Sequence, residues 1–165
     1  MDTIAALALS IDNPIVKAVG EIIANEFIYV GIIIALTVLG ESRNEKRLKI
    51  LVTFVAVMVV CAAIKQGLAY PRPCAGEDWC PTDYAFPSMH AAAAFTLMIA
   101  FLDSGAYPLY LLFALFVSFT RLNLGVHAFA DVAAALPIAA IGYYAVDMAW
   151  NAGKRKGGKR HGPRG

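Results

Sequence analysis

Long apolar segments alternate with short polar ones along most of this chain. Apolar runs with few charged residues lie at about 22–39, 50–68, 87–102, 107–120 and 127–150. A helix needs roughly 20 apolar residues to cross the hydrocarbon core of a bilayer, and these runs approach that length. The pattern therefore predicts an all-α fold, a polytopic membrane helical bundle with about five transmembrane helices.

The two ends of the chain depart from this pattern. Residues 1–20 mix apolar positions with Asp12, Pro14 and Lys17, which is typical of a helical segment that lies at the membrane interface. Residues 153–165 are basic and rich in glycine, and this composition predicts a disordered tail. We therefore expect a single domain over residues 1–152, in which residues 22–150 form the bundle.

The overall composition agrees with a membrane protein. Hydrophobic residues make up 59% of the 165-residue chain and charged residues 16%, which excludes an ordinary soluble domain. The net charge is only +2 because basic and acidic residues nearly cancel, so their placement is more informative than their sum. This balance does not indicate a nucleic-acid partner.

Most of the basic residues follow either the first or the fifth predicted span. Cytoplasmic connections of membrane proteins carry an excess of lysine and arginine. With five spans these two positions share one side of the membrane, which we expect to be the cytoplasmic side. The residues are Arg43, Lys46, Arg47, Lys49, Lys154, Arg155, Lys156, Lys159, Arg160 and Arg164.

Three other basic residues lie at the ends of predicted helices on the opposite side of the membrane. Lys65 and Arg72 lie at the end of the second span, and Arg121 lies at the end of the fourth. A single cation at a helix end commonly extends to the interface, but three together indicate an anionic ligand. Ser88 stands at the start of the third helix, where free backbone N–H groups and the helix dipole attract anions.

Two histidines lie on this same side. His127 and Asp131 are four residues apart, which puts them on one helix face, where the carboxylate can orient the imidazole. An activated nucleophile or base requires such an arrangement, and a buried pair that serves only helix packing is the alternative. His90 stands at the start of the third helix.

These residues together resemble a known family. Their order and spacing resemble the three motifs of the type 2 phosphatidic acid phosphatase superfamily, which also includes vanadium haloperoxidases. The three matching groups are Lys65 with Arg72-Pro73, Pro87-Ser88-Met89-His90, and Thr120-Arg121 with His127 and Asp131. The resemblance covers residues 65–131. Met89 stands where the family usually has glycine, and Thr120 where it usually has serine.

The resemblance implies a role for each motif residue. His127 is expected to attack phosphorus and form a phosphohistidine, while Asp131 holds its ring. His90 is expected to protonate the leaving oxygen and later to activate water. The phosphate-binding residues would be Lys65, Arg72, Ser88, Met89 and Arg121. Since three cations can neutralise the transition state, neither a metal nor another cofactor is expected.

The expected protein is a multi-pass lipid phosphatase of the cell membrane, with an extracytoplasmic active site and a cytoplasmic tail. Its preferred substrate is a polyprenyl diphosphate of the undecaprenyl or dolichyl type, and phosphatidic acid or phosphatidylglycerol phosphate is the alternative. Transfer of the phosphate to an acceptor other than water stays open. A different class would be a non-enzymatic membrane subunit that binds haem through His90 and His127, or lipid through its basic tail.

Two cysteines bracket the polar loop on the extracytoplasmic side. Cys74 and Cys80 are expected to form a disulfide if this loop faces an oxidising compartment. Two free thiols are the alternative. A zinc site is not expected, since it would need two further ligands nearby and none is obvious.

Overall fold

Eight helices make up residues 2–158, the part of the chain that the computed structural model describes. They are α1 (Thr3–Leu9), α2 (Pro14–Ala24), α3 (Glu26–Gly40), α4 (Asn44–Leu68), α5 (Met89–Ala100), α6 (Tyr107–Asn123), α7 (Phe129–Ala133) and α8 (Ala135–Gly158). No strand occurs within residues 2–158. The predicted all-α fold is therefore confirmed.

Helix α5 forms the centre of the bundle, in contact with α4, α6 and α8. Every residue from Ala91 to Ala100 is buried, and the alanines at 91–94 allow the neighbouring backbones to approach closely. The outward faces of α4 and α6 expose apolar side chains such as Val55, Val59 and Leu112. An apolar exterior on a helical bundle is suited to a bilayer.

Two helical segments are long and apolar enough to cross a membrane by themselves, Asn44–Leu68 and Phe129–Arg155. The pair α1 and α2, bent by 111°, passes the same test when taken together. Helix α5 has 12 residues and reaches about 18 Å, whereas the hydrocarbon core is roughly 30 Å thick. The membrane helical bundle is thus confirmed, but within residues 2–158 two or three spans, and not about five, meet the test of length and composition.

The N-terminal segment contacts the bundle directly. Asn123, at the end of α6, donates from Nδ2 to the carbonyl oxygens of Ala8 and Ile11, at 2.8 and 2.9 Å. The carboxylate of Asp2 caps α1 and also accepts a hydrogen bond from the N–H of Phe129, at 2.8 Å. The segment expected at the interface is therefore attached to the end of α6 and the start of α7, which its amphipathic sequence did not indicate.

Two predicted spans are divided, and the last one is longer than expected. The first breaks at Asn25, whose backbone is extended and whose side chain accepts a hydrogen bond from the N–H of Ile28 at the start of α3. The last is divided between α7 and α8. Helix α8 continues to Gly158. Residues 153–158, which were expected to be disordered, are therefore helical. Lys154 pairs with Glu45 in the first turn of α4. Residues 159–165 lie outside the described range.

The start of α4 and the end of α8 meet at one end of the bundle. Lys49 Nζ lies 2.6 Å from Asp147 Oδ1, and the indole of Trp150 donates to Glu45 at 3.0 Å. Helices α4 and α8 therefore run antiparallel, with the cations of the loop before α4 and those of α8 at the same end. Lys65, near the other end of α4, lies at the opposite end of the bundle.

Candidate active site

Three connections meet at the end of the bundle that carries Lys65. The N–H of Ser88 donates to the carbonyl oxygen of Asp131 at 3.0 Å, which joins the start of α5 to α7. Arg72 NH1 donates to the carbonyl oxygen of Val126 at 2.9 Å, which joins the loop after α4 to the loop after α6. Segments that are far apart in the sequence are thereby brought to one site.

His127 lies at the centre of this site and is 2% exposed. Its Nδ1 is 3.3 Å from Asp131 Oδ2, and the same oxygen accepts a hydrogen bond from the N–H of Ala128 at 2.8 Å. The expected pairing is present, but it arises differently, because α7 begins at Phe129 and leaves His127 in the preceding loop. The carboxylate thus holds the imidazole from the first turn of α7.

The contacts of the imidazole fix which nitrogen is free to react. A proton on Nδ1, directed at Asp131, leaves the lone pair on Nε2, which lies 3.3 Å from Arg72 NH1. Burial lowers the pKa of the His127 ring below its ordinary value, against the hydrogen bond to Asp131, and the charges of Arg72 and Arg121 also lower it. His127 is therefore neutral at neutral pH, as a nitrogen nucleophile must be.

All three motif cations are buried at this site. Lys65 and Arg121 are 5% and 3% exposed. Lys65 and Arg72 both pair with Asp83, at 2.7 and 2.6 Å, and Asp83 is a residue that the sequence analysis did not single out. Glu77 and Asp78 are acidic residues of the same loop, so acidic character alone did not distinguish Asp83 from them.

Arg121 differs from the other two cations because it has donors without partners. Within the described residues, Arg121 Nε and NH1, Ser88 Oγ and His90 Nε2 are buried and make no hydrogen bond. Buried polar groups are nearly always satisfied, so such a group of atoms indicates a ligand. Arg121 is close enough to both histidines for its charge to act on their rings. An anion with several oxygen acceptors, such as a phosphoryl group, fits these atoms.

His90 is held by a second residue that the sequence analysis missed. The hydroxyl of Tyr29 donates to the carbonyl oxygen of His90 at 2.7 Å, and the two rings lie 4.7 Å apart. Met89, at the family's usual glycine position, is half-buried beside them. Tyr29 belongs to an apolar run of α3, in which a buried tyrosine is not distinguished from a lipid-facing one by sequence alone.

The loop between α4 and α5 contains a disulfide between Cys74 and Cys80, with Cα atoms 5.6 Å apart. The third cysteine, Cys61, is buried and free. Over residues 2–158 no group of three or more His, Cys, Asp or Glu side chains could hold a metal ion.

Comparisons with known proteins give one family model and a curated relative. The family model described as the PAP2 superfamily matches residues 46–154. Sphingosine-1-phosphate phosphatase 2 of Homo sapiens is 31% identical over 117 residues, which are 62% of this chain and 29% of that protein. The chain thus spans 29% of the length of this curated relative.

Two solved structures have a similar fold. The crystal structure of LpxE from Aquifex aeolicus superposes with a TM-score of 0.70 at 21% identity, over 87% of this chain and 92% of LpxE. A transmembrane PAP2-type phosphatidylglycerolphosphate phosphatase from Bacillus subtilis superposes with a TM-score of 0.64 at 19% identity, over 90% of this chain and 83% of that one.

Proposed function

Because the chain belongs to the PAP2 superfamily, we propose that it is an integral-membrane lipid phosphatase that acts through a phosphohistidine on His127. The observation that carries this proposal is the buried His127–Asp131 pair beside three buried cations, one of which has donors without partners. A pair that served only helix packing would not need this excess of positive charge. The haem-binding alternative is not supported, because the Nε2 atom needed for ligation faces the cation Arg72.

The reaction takes place in two steps. In the first, His127 Nε2 forms a bond to phosphorus while the bond from phosphorus to the lipid oxygen breaks. His90 gives that oxygen a proton, and the negative charge of the bound phosphate favours the protonated form of His90 by offsetting the charge of Arg121. In the second, water attacks phosphorus, the bond to Nε2 breaks, and His90 takes up a proton from the water. The products are the dephosphorylated lipid and inorganic phosphate.

The cations stabilise the charge that develops on the phosphoryl oxygens. Arg121 Nε and NH1 and the hydroxyl of Ser88 are the donors without partners, while Lys65 and Arg72 add positive charge. Donors that are already oriented in a site from which water is excluded are worth more than the same donors in water. We propose that these cations replace a metal ion and that the enzyme is metal-independent.

A cleft of about 180 Å³ borders His90 and would receive the leaving group. In an in-line displacement the leaving oxygen is opposite the nucleophile, which is the side of His90. The cleft is lined by Glu26, Tyr29, Phe54, Met58, Met89 and His90, among others. A second, larger cleft of about 570 Å³ reaches Asp131, behind the nucleophile, and is therefore less suited to the leaving group.

The lining of the cleft beside His90 favours a lipid monophosphate over a diphosphate. The leaving group of a monophosphate is an alkyl alcohol, which suits the apolar walls. The leaving group of a diphosphate carries its own phosphate, which would meet the carboxylate of Glu26, and no lysine or arginine is among the described residues that line the cleft. The polyprenyl diphosphate preferred from the sequence thus becomes the second candidate, behind a lipid monophosphate with a single narrow chain suited to a cleft of about 180 Å³.

Phosphate release from a panel of lipids tests this order of preference. In detergent with a chelator present, we expect kcat/KM for a single-chain lipid monophosphate to exceed that for a polyprenyl diphosphate by about tenfold. The variant Glu26→Gln should narrow this ratio because it removes the repelling charge, whereas Glu21→Gln, a similar change outside the cleft, should not. Absence of release from every lipid until a metal is added would contradict the proposed function, and faster turnover of the diphosphate would reverse the substrate order.

We also propose that the site faces the extracytoplasmic side of the cell membrane. The support is the position of Arg43, Lys46, Lys49 and Lys154 at the other end of the bundle, since such residues are enriched on the cytoplasmic side. After mild reduction of intact cells, a membrane-impermeant thiol reagent should label Cys80. Buried Cys61 should stay unlabelled in a Cys74→Ala/Cys80→Ala variant. Labelling of Cys80 only after permeabilisation would reverse the orientation.

A further inference from the structure

The carboxylate of Asp83 bridges two of the three phosphate-site cations. Its Oδ2 lies 2.7 Å from Lys65 Nζ, and its Oδ1 lies 2.6 Å from Arg72 NH2 and 3.1 Å from Arg72 Nε. Two carboxylate oxygens, each on a different cation, occupy the donors that two phosphoryl oxygens would use. Asp83 is thus in the position of an anion already bound at the site.

Neither cation needs this carboxylate to stay in place. Lys65 Nζ also donates to the carbonyl oxygen of Tyr84. Arg72 donates from Nε to the carbonyl oxygen of Asp83 at 3.1 Å and from NH1 to that of Val126 at 2.9 Å. Three backbone carbonyls therefore hold the two side chains, and what the carboxylate adds is chiefly its negative charge.

The carboxylate is also free to leave. The side chain of Asp83 is 51% exposed, whereas those of Lys65 and Arg72 are 6% and 7% exposed. Partial burial by itself would raise the pKa of Asp83, but the hydrogen bonds from Lys65 and Arg72 outweigh it and hold the pKa below its ordinary value. The group is ionised at neutral pH. Its side chain can rotate towards the solvent without moving any buried part of the bundle.

A site with three buried cations has a difficulty at the end of the reaction. The same charge that stabilises the transition state also binds the product phosphate, and tight product binding slows turnover. An anion built into the chain, at high effective concentration, would compete with phosphate for the cations at every step. Asp83 has the charge, the position and the exposure for this role.

We propose that Asp83 sets the affinity of the site for phosphate. Its carboxylate releases Lys65 and Arg72 when the substrate binds, and it pairs with them again when inorganic phosphate leaves. Asp83 acts through the two cations and takes no part in bond making. The inference rests on the proposed function only in taking the site around His127 as a phosphate site.

Inhibition by inorganic phosphate tests this directly. In the full-length protein in detergent, Asp83→Asn should lower the inhibition constant of phosphate by about tenfold and should lower KM, because removing one charge a few ångströms from the ligand has an effect of about this size. Asp78→Asn removes the same charge from the same loop, where the described side chains form no ion pair with it, and should leave the inhibition constant near the wild-type value. Asp83→Ser provides a second neutral variant in case the asparagine variant does not fold.

A binding measurement separates this inference from the proposed function. Inorganic phosphate should raise the melting temperature of Asp83→Asn or Asp83→Ser more than that of the wild type, whether or not any lipid is hydrolysed. If no lipid phosphate is a substrate but phosphate binding still tightens, the proposed function fails and the inference holds. Unchanged or weaker phosphate binding in both neutral variants would overturn the inference, because Asp83 would then only hold the cations in place.

Discussion

Replacing His127 by asparagine is expected to remove nearly all phosphate release, by roughly 10⁴-fold or more. Asparagine is close in size to the inner part of the imidazole and can still reach Asp131, but it has no nitrogen lone pair able to attack phosphorus. The residual rate would come from the cations and from substrate binding alone. Release of phosphate from a lipid monophosphate, measured in detergent with a chelator, checks this.

The control for this prediction is His161, the histidine that belongs to none of the three motifs. His161→Asn makes the same chemical change in the C-terminal tail and should keep wild-type turnover. The His127→Asn protein should also keep a cooperative melting transition near that of the wild type, since a buried polar group is replaced by another. Turnover within tenfold of the wild type in a folded His127→Asn protein would exclude His127 as the nucleophile.

Replacing Asp131 by asparagine is expected to lower kcat by about 10³- to 10⁴-fold while the fold stays intact. Asparagine can still accept the hydrogen bond that Asp131 takes from the N–H of Ala128 at 2.8 Å, so the first turn of α7 is preserved. Its amide oxygen can also accept a hydrogen bond from Nδ1 of His127, because one oxygen of Asp131 serves both groups. The amide carries no negative charge, so the positive charge that the ring acquires when Nε2 bonds to phosphorus is no longer neutralised.

The measurement for Asp131 is the separation of kcat from KM. Because Asp131 acts on His127 and not on the phosphate, the loss should appear in kcat, with KM changed little. Asp147→Asn removes an equal charge far from the site, at the contact with Lys49 near the start of α4, and serves as the matched control. A large rise in KM with an unaltered kcat would show that Asp131 serves substrate binding and does not orient the nucleophile.

The convergence of the motif residues could be predicted from the sequence because most of them stand at or beside the end of a helix. Lys65 lies in the last turn of α4, Arg121 in the last turn of α6 and His90 at the start of α5, so helix directions bring them to one end of the bundle. The positive residues of the other end were predictable for the same reason, and the contact between Lys49 and Asp147 agrees with that arrangement.

What the sequence did not predict depends on the paths of loops and on single capping residues. The pairing of Asp83 with two cations follows from the path of residues 81–86, which is fixed in part by the hydrogen bond from the N–H of Ala85 to the carbonyl oxygen of Tyr70, at 2.8 Å. Loop paths have no periodicity that a sequence could display. The break at Asn25 was hidden because apolar residues continue on both sides of it.

The departure from the family pattern at Met89 now has a structural consequence. Its side chain lines the cleft beside His90, next to Tyr29 and Met58, which a glycine could not do. The substitution thus narrows the space for a leaving group and does not remove a donor from the phosphate site. This agrees with the proposed preference for a single narrow chain.

Trapping of the covalent intermediate is the direct test of His127 as the nucleophile. The protein is mixed rapidly with a lipid monophosphate that is labelled in its phosphate group. The reaction is quenched in alkali, because phosphohistidine survives alkaline conditions, and the protein is then digested for peptide mapping. We expect label on the peptide that contains His127, at up to one phosphate per protein, and none in His127→Asn. Turnover without any labelled protein, or label on a peptide that lacks His127, would contradict it.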